Sequence, residues 1–273
     1  MKYLRLPHTD LDVETKADES PVSRADRESS ALLVEALGRI LPGVPVVSEE
    51  DVLPSFEERS SWKAFLLVDP LDGTKEYLRG SGDFAVNIAY VEGGAPLWGV
   101  MFCPAIGLLA AGGSNAEGRR GAWISHPSAP PSDTPSGALA PVAWTAIPPP
   151  VAPDVDALRA VLSQSHRHGS ETLALERFGV ASVTRRGSSL KFLMVAQGEA
   201  DVYFRRTPTW EWDTAAGQAI LEGVEAVVCD AAGAPLRYNR PDPLNGPFLA
   251  CPRAIQDRCL ERLQRNAVLS GPT

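Results

Sequence analysis

Cysteine is scarce in this 273-residue chain, and the four present (Cys103, Cys229, Cys251 and Cys259) are scattered with no Cys-x-x-Cys pair. That usage excludes a disulfide frame and points to reduced thiols in a cytoplasmic protein. The four histidines (His8, His126, His166 and His168) lack the spacing of zinc ligands. No apolar run approaches the roughly 18 residues that a membrane span requires. Met1 to Asp10 has no apolar core region either, so no signal peptide is expected. Positive charge is the minority sign, with 26 Lys and Arg against 34 Asp and Glu, a net −8. Polymeric nucleic acid held by a broad basic surface is therefore not an expected partner. A small polyanion is not excluded, because bound divalent cations reverse the sign of an acidic pocket. No internal repeat is visible. The hydrophobic share of 44% and charged share of 22% are those of an ordinary globular protein with ample core, as one large domain or two smaller ones.

The densest signal is the stretch from Phe65 to Tyr77, FLLVDPLDGTKEY. Four consecutive apolar residues read as a buried strand that ends on Asp69. Pro70 is expected to stop ladder pairing there, and Asp72 follows after one residue. Gly73 frees the backbone to turn, and Thr74 places a hydroxyl at the bend. Two carboxylates so close repel unless a cation lies between them. Such a strand-end turn, with its free carbonyls, suits a hard divalent ion such as Mg²⁺. Asp-Pro and Asp-Gly also serve as plain turn formers, and the stretch alone leaves both readings open.

In chain order, residues 1 to 22 read as polar and irregular. Ser23 to Asp26 opens a helix with a near capping box, which by itself accounts for Asp26. Leu33, Leu37, Ile40 and Leu41 form its apolar stripe, and Pro42-Gly43 ends it. A strand over Val44 to Val47 leads to Ser48-Glu49-Glu50-Asp51. Ala85 to Val91, Leu97 to Phe102 and Leu108 to Ala111 read as an antiparallel meander, which Gly121 to Ile124 extends. Ser125 to Pro153, rich in Pro, Ser and Ala, reads as a loop between two halves, 1–150 and 151–273. Asp156 to Ser165 fits helix or strand equally. Then come a helix over Glu171 to Phe178, a strand over Val180 to Thr184, a helix from Leu190 ended by Gly198, and a strand over Asp201 to Phe204. A helix opening at Trp212-Asp213, a hairpin around Ala231-Ala232-Gly233 and a helix over Ala254 to Gln264 complete the chain.

Glu49-Glu50, the Asp69 to Thr74 motif and Trp212-Asp213-Thr214-Ala215-Ala216-Gly217 together resemble the inositol monophosphatase superfamily of metal-dependent phosphatases. The resemblance runs from about Asp10 to Tyr238, and both long motifs are specific (extent judged by eye). Inside the family, Lys75-Glu76-Tyr77, Gly187 to Phe192 and Tyr203-Phe204-Arg205 look like the bisphosphate nucleotidase form. Inositol enzymes tend to carry an acid near Arg205, where a cation suits a second phosphate instead. The family also has a long helix ahead of Lys16-Ala17-Asp18, which here only Met1 to Leu6 could represent.

The resemblance implies an α+β fold, a layered α/β/α/β/α sandwich whose two sheets meet at the active site. It implies that Glu49, Asp69, the Leu71 carbonyl, Asp72 and Asp213 hold two or three Mg²⁺ ions, with Asp26 supporting one through water. Thr74 and Glu49 would orient the attacking water, and the Gly73 and Thr74 amides would cradle the scissile phosphate. His166, Ser188, Lys191 and Arg205 would hold the rest of a nucleotide substrate. The activity implied is removal of the 3′-phosphate from adenosine 3′,5′-bisphosphate. An inositol or sugar monophosphatase is the alternative, and a non-catalytic metal or nucleotide sensor a third reading. No nucleophile–His–acid constellation can be picked out for a covalent mechanism.

Overall fold

The computed structural model describes residues 11–16, 20–127, 143–165 and 178–265 of the chain. His166, Met1 to Leu6, the middle of the Pro-rich segment and all but the last residue of the expected 171–178 helix lie outside them.

Seven strands form the first sheet, in the order Val46–Ser48, Ala64–Asp72, Ala85–Glu92, Ala95–Cys103, Leu108–Ser114, Arg120–Ser125 and Thr145–Ala146. Only the first pair is parallel; the others form the expected antiparallel meander. Two expectations need correction. Pro70 does not end the second strand, which runs on to Asp72. Pairing lapses after Asp69 opposite Asn87 and resumes at Asp72 opposite Ala85. The irregularity absorbs the residue that has no N–H to give the ladder, as a bulge does. Thr145–Ala146, inside the segment expected to be loop, adds a two-residue edge strand.

The second sheet has five strands, in the order Val180–Arg186, Leu158–Ser163, Val202–Arg205, Phe248–Pro252 and Ala226–Cys229. Leu158–Ser163 settles as a strand. Residues expected to be irregular near the start pair as a minimal hairpin, Glu14–Thr15 with Pro21–Val22. The turn at Asp230 closes on Ala234, with one bridge between Cys229 and Pro235.

Alternation along the strands produces the layers. Leu158, Ala160 and Leu162 share an apolar cluster with Val202, Phe204, Leu249 and Cys251 and with Ile255, Cys259, Leu260 and Leu263 around the C-terminal helix Gln256–Arg265. Val161, Tyr203, Phe248 and Ala250 face the other way, into a larger core with Phe192, Leu193, Ala216 and Ile220. The same core takes Phe65, Leu67, Ala89, Met101 and Ala110 from the seven-stranded sheet. The helices Leu190–Ala196 and Glu211–Gly223 thus lie between the two sheets, and the long helix Arg24–Ile40 packs outside, on Ala64–Asp72. The order is α/β/α/β/α.

The Glu211–Gly223 helix sits unusually close to the sheet. A Cβ built on Gly99 would lie 2.4 Å from the Ala216 carbonyl oxygen. Only glycine leaves room for that approach. The long helix is anchored differently. Its buried residues are Ala25, Asp26 and Ser30, whereas Leu33 and Leu37 are half-buried and Ile40 is 70% exposed. The expected apolar stripe therefore reaches solvent at its far end. Polar contacts hold the near end: Ser29 donates to the Pro70 carbonyl (3.0 Å), and the Ser30 and Ser48 hydroxyls are bonded at 2.7 Å.

Candidate metal centre

Three elements deliver the four acids. Glu49 directly follows the first strand, its amide bonded to the Val68 carbonyl at 3.1 Å. Asp69 and Asp72 flank the irregular step of the second strand, and Asp213 stands in the first turn of the Glu211–Gly223 helix. Oxygens of Glu49, Asp69 and Asp213 lie within 4.8 Å of one another. Asp72 lines the same cleft.

Backbone amides pin three of these carboxylates. Asp69 Oδ1 accepts from Leu71 N at 3.0 Å, Asp213 Oδ2 from Trp210 N at 2.8 Å, and Asp72 Oδ2 from Ser189 N. Asp69 Oδ2, Asp213 Oδ1 and Asp72 Oδ1 stand outside these bonds. Burial pushes the Asp69 carboxyl well above the usual range, and the charges of Glu49, Asp72 and Asp213 add to it. Asp213 is raised likewise, by burial and then by Asp72 and Glu49. Burial also raises Glu49, against the pull of Lys16. Mutually repelling, partly desolvated oxygens of this kind fit a hard divalent cation, which relieves the repulsion that raises them.

The turn after Asp72 is built on Gly73, at φ 93°, where a side chain would be strained and a Cβ would come within 3.0 Å of Ser188 Cβ. Thr74 opens the short helix Thr74–Leu78. Its hydroxyl lies 2.9 Å from Asp26 Oδ1 and 3.2 Å from the Leu71 carbonyl. Asp26 uses its other oxygen on Ser23 N (2.8 Å) and Ser23 Oγ (2.5 Å), completing the capping box. The capping and active-site readings of Asp26 therefore coexist. Asp26 is not among the three clustered carboxylates.

The same cleft also carries cations. Ser188, Lys191 and Arg205 line the cleft with Glu49, Asp72, Thr74 and Asp213. Lys191 is almost fully buried, with Nζ bonded to the Ser188 carbonyl and 5.2 Å above the Tyr203 ring. Burial, and then Arg205, lowers its pKa to about 8. Arg205, half-buried at its strand end, contacts the Thr207 carbonyl at 3.4 Å. The candidate residues thus converge, save His166, which lies outside the described residues.

Sequence reasoning missed several neighbours. Lys16 Nζ lies 2.8 Å from Glu49 Oε1 and 2.7 Å from Glu50 Oε1. Burial works to lower its pKa, but Glu49 and Glu50 outweigh it and hold the ammonium above the ordinary lysine range. Glu76, left without a role by the sequence, accepts from Ser165 in the cleft wall. Asn87 and Ser189 are buried behind Asp72. Glu76 and Ser189 sit in stretches that resemble the nucleotidase form without a role assigned to either, and Asn87 belongs to no quoted motif.

Residues 1–267 match the inositol monophosphatase family, and the chain belongs to it. The family is metal-dependent, and the Glu49, Asp69 and Asp213 group can hold the ion. Among relatives, the chain is 39% identical to the 3′(2′),5′-bisphosphate nucleotidase CysQ of Escherichia coli K12 over 228 residues, covering 84% of this chain and 83% of the other. It is 38% identical to the protein of the same name from Salmonella typhimurium, over the same shares. The crystal structure of CysQ from Bacteroides thetaiotaomicron, a bacterial member of the family, superposes with a TM-score of 0.75 and 32% identity, covering 92% of this chain and 90% of that one. Among the described residues no helix is long and apolar enough to cross a membrane.

Proposed function

We propose that this chain is a Mg²⁺-dependent 3′(2′),5′-bisphosphate nucleotidase that hydrolyses the 3′-phosphate of adenosine 3′,5′-bisphosphate to AMP and phosphate. The observation that carries this reading is one cleft that holds both clustered carboxylates and the cations Lys191 and Arg205. A substrate with two phosphates matches both sets of charges: one phosphate would reach the acids through cations, and the other would pair with the ammonium and guanidinium. The names of the relatives agree with that assignment.

Glu49, Asp69, Asp72, Asp213 and the Leu71 carbonyl would hold two or three Mg²⁺ ions, with Asp26 contributing through water. Bound magnesium supplies a water of lowered pKa and charge compensation at the departing oxygen. Thr74 donates to Asp26, so its lone pairs are turned to accept from the attacking water, which Glu49 flanks. Water oxygen would bond to phosphorus as that water gives up a proton, while the P–O3′ bond breaks and O3′ leaves with the electron pair and takes up a proton from solvent, with no net gain or loss of protons. The uncapped start of the Thr74–Leu78 helix turns amides toward the scissile phosphate. Ser188 and His166 would complete the nucleotide side. All four cysteines are free and buried, and we place the protein in the cytoplasm, where thiols stay reduced.

Phosphate release from adenosine 3′,5′-bisphosphate and inositol 1-phosphate, measured side by side with Mg²⁺, tests the reading. Preference for the bisphosphate is expected. Equal or faster release from inositol 1-phosphate would favour the monophosphatase alternative, and no Mg²⁺-dependent release from either would favour a sensor.

A further inference from the structure

Asp72 is held by a residue pair that connects the two sheets. Asn87 lies on the Ala85–Glu92 strand, directly opposite Asp69, and is buried. Its Nδ2 faces Asp72 Oδ2 at 3.4 Å, and its Oδ1 accepts from Ser189 Oγ at 2.9 Å. Ser189, also buried and 102 residues further along the chain, gives its own backbone amide to the same Asp72 oxygen. One serine thus binds the carboxylate directly through N–H and indirectly through the amide side chain.

The serine itself is clamped. Ser188, just before it, has φ +55°, a left-handed conformation that non-glycine residues adopt only when their surroundings impose it. Lys191 holds the Ser188 carbonyl, and Asp83 Oδ2 holds the Gly187 amide at 3.0 Å. The turn is fastened on both sides, and its amide has nowhere to aim but Asp72.

We propose that Asn87 and Ser189 are positioning residues for Asp72. They commit its Oδ2 to hydrogen bonds and turn Oδ1 toward the metal, so that ligand geometry depends on the docking of the second half against the first. The inference rests on the metal reading of Asp72. Outer partners that fix a metal-ligating carboxylate typically contribute 10- to 100-fold to metal affinity.

Titration calorimetry of Mg²⁺ alone into the metal-free, full-length protein tests this without turnover. Asn87→Ala and Ser189→Ala should each weaken Mg²⁺ binding by about tenfold. The double variant should be no weaker than the worse single, because the hydroxyl reaches Asp72 only through the amide. Ser189→Thr, which keeps the hydroxyl, should restore affinity. In turnover assays the Mg²⁺ concentration for half-maximal rate should rise while KM for substrate moves less than about threefold, the split expected when ligand geometry alone changes. Unchanged Mg²⁺ affinity in Asn87→Ala, additive losses in the double variant, or no recovery in Ser189→Thr would overturn the proposal. Should Asn87→Ala fail to fold, Ser189→Ala removes a single oxygen and carries the test. A parent protein that binds Mg²⁺ but releases no phosphate would sink the nucleotidase reading and leave this one standing.

Discussion

Along the wall made by the Ala64–Asp72 strand and the Glu211–Gly223 helix, acids lean on amide donors: Asp69 on Leu71, Asp213 on Trp210. In the same cleft, cations lean on carbonyls: Lys191 on Ser188, Arg205 on Thr207. Both kinds of contact fix a charged group without neutralising it, since each partner is a dipole. Such contacts leave Asp69, Asp213 and Lys191 able to meet an ion of opposite charge. Glu49 differs, being paired with the Lys16 ammonium.

The contrast can be broken from either side, and the largest effect is expected at the acids. Asp213→Asn keeps the Trp210 cap possible but removes a charge the metals need. Turnover should fall by about 10³-fold, the upper range for losing one electrostatic contact at a reacting centre. Near-parental phosphate release would remove Asp213 from the metal set. Next come the cations. Arg205→Glu should cost the bisphosphate about 10²-fold in kcat/KM, as truncating a charged partner does. It should cost inositol 1-phosphate little, and equal losses on both substrates would mean that the arginine does not read a second phosphate.

Lys191 sharpens the comparison through pH. Burial depresses its pKa to about 8, so the free protein loses this cation as pH rises through that value. The kcat/KM for the bisphosphate should decline above about pH 8, up to tenfold per unit. The decline should vanish in Lys191→Met, and a profile identical in both proteins would exclude the ammonium from binding. The smallest effect expected is on stability without metal. The folded-state pKa values of Asp69 and Asp213 are raised, so above about pH 4 the folded chain holds protons that the unfolded chain has released. Stability of the metal-free protein therefore falls as pH rises through that window. Melting temperatures in EDTA and in Mg²⁺ should lie further apart at pH 8 than at pH 5. A gap independent of pH would show that metal and protons do not compete for these oxygens.

What could be read from the residues follows how local each signal is. The meander was legible because Glu92-Gly93-Gly94 and Pro104 to Gly107 punctuate apolar runs. Leu158–Ser163 was not, because a short apolar run buried on both faces has no period to show. The continuation of pairing past Pro70 depends on Ala85 returning opposite Asp72, a long-range event. In the site, Glu49, Asp69, Asp72 and Asp213 were legible through motifs. Lys16, Asn87 and Ser189 were given no role, since what each does depends on partners 15 to 117 positions away. The stripe of the long helix misled at Ile40, where patterning promised a neighbour that the described residues do not provide.

The absent side chain at Gly99 has a reach of its own. Because the Ala216 carbonyl occupies the space a methyl group there would fill, the height at which Asp213 enters the cleft is set by a missing atom on a strand that contributes no residue to the cleft lining. Any change that thickens that floor tilts the carboxylate above it, and the active-site geometry is inherited in part from the smoothness of a surface beneath it.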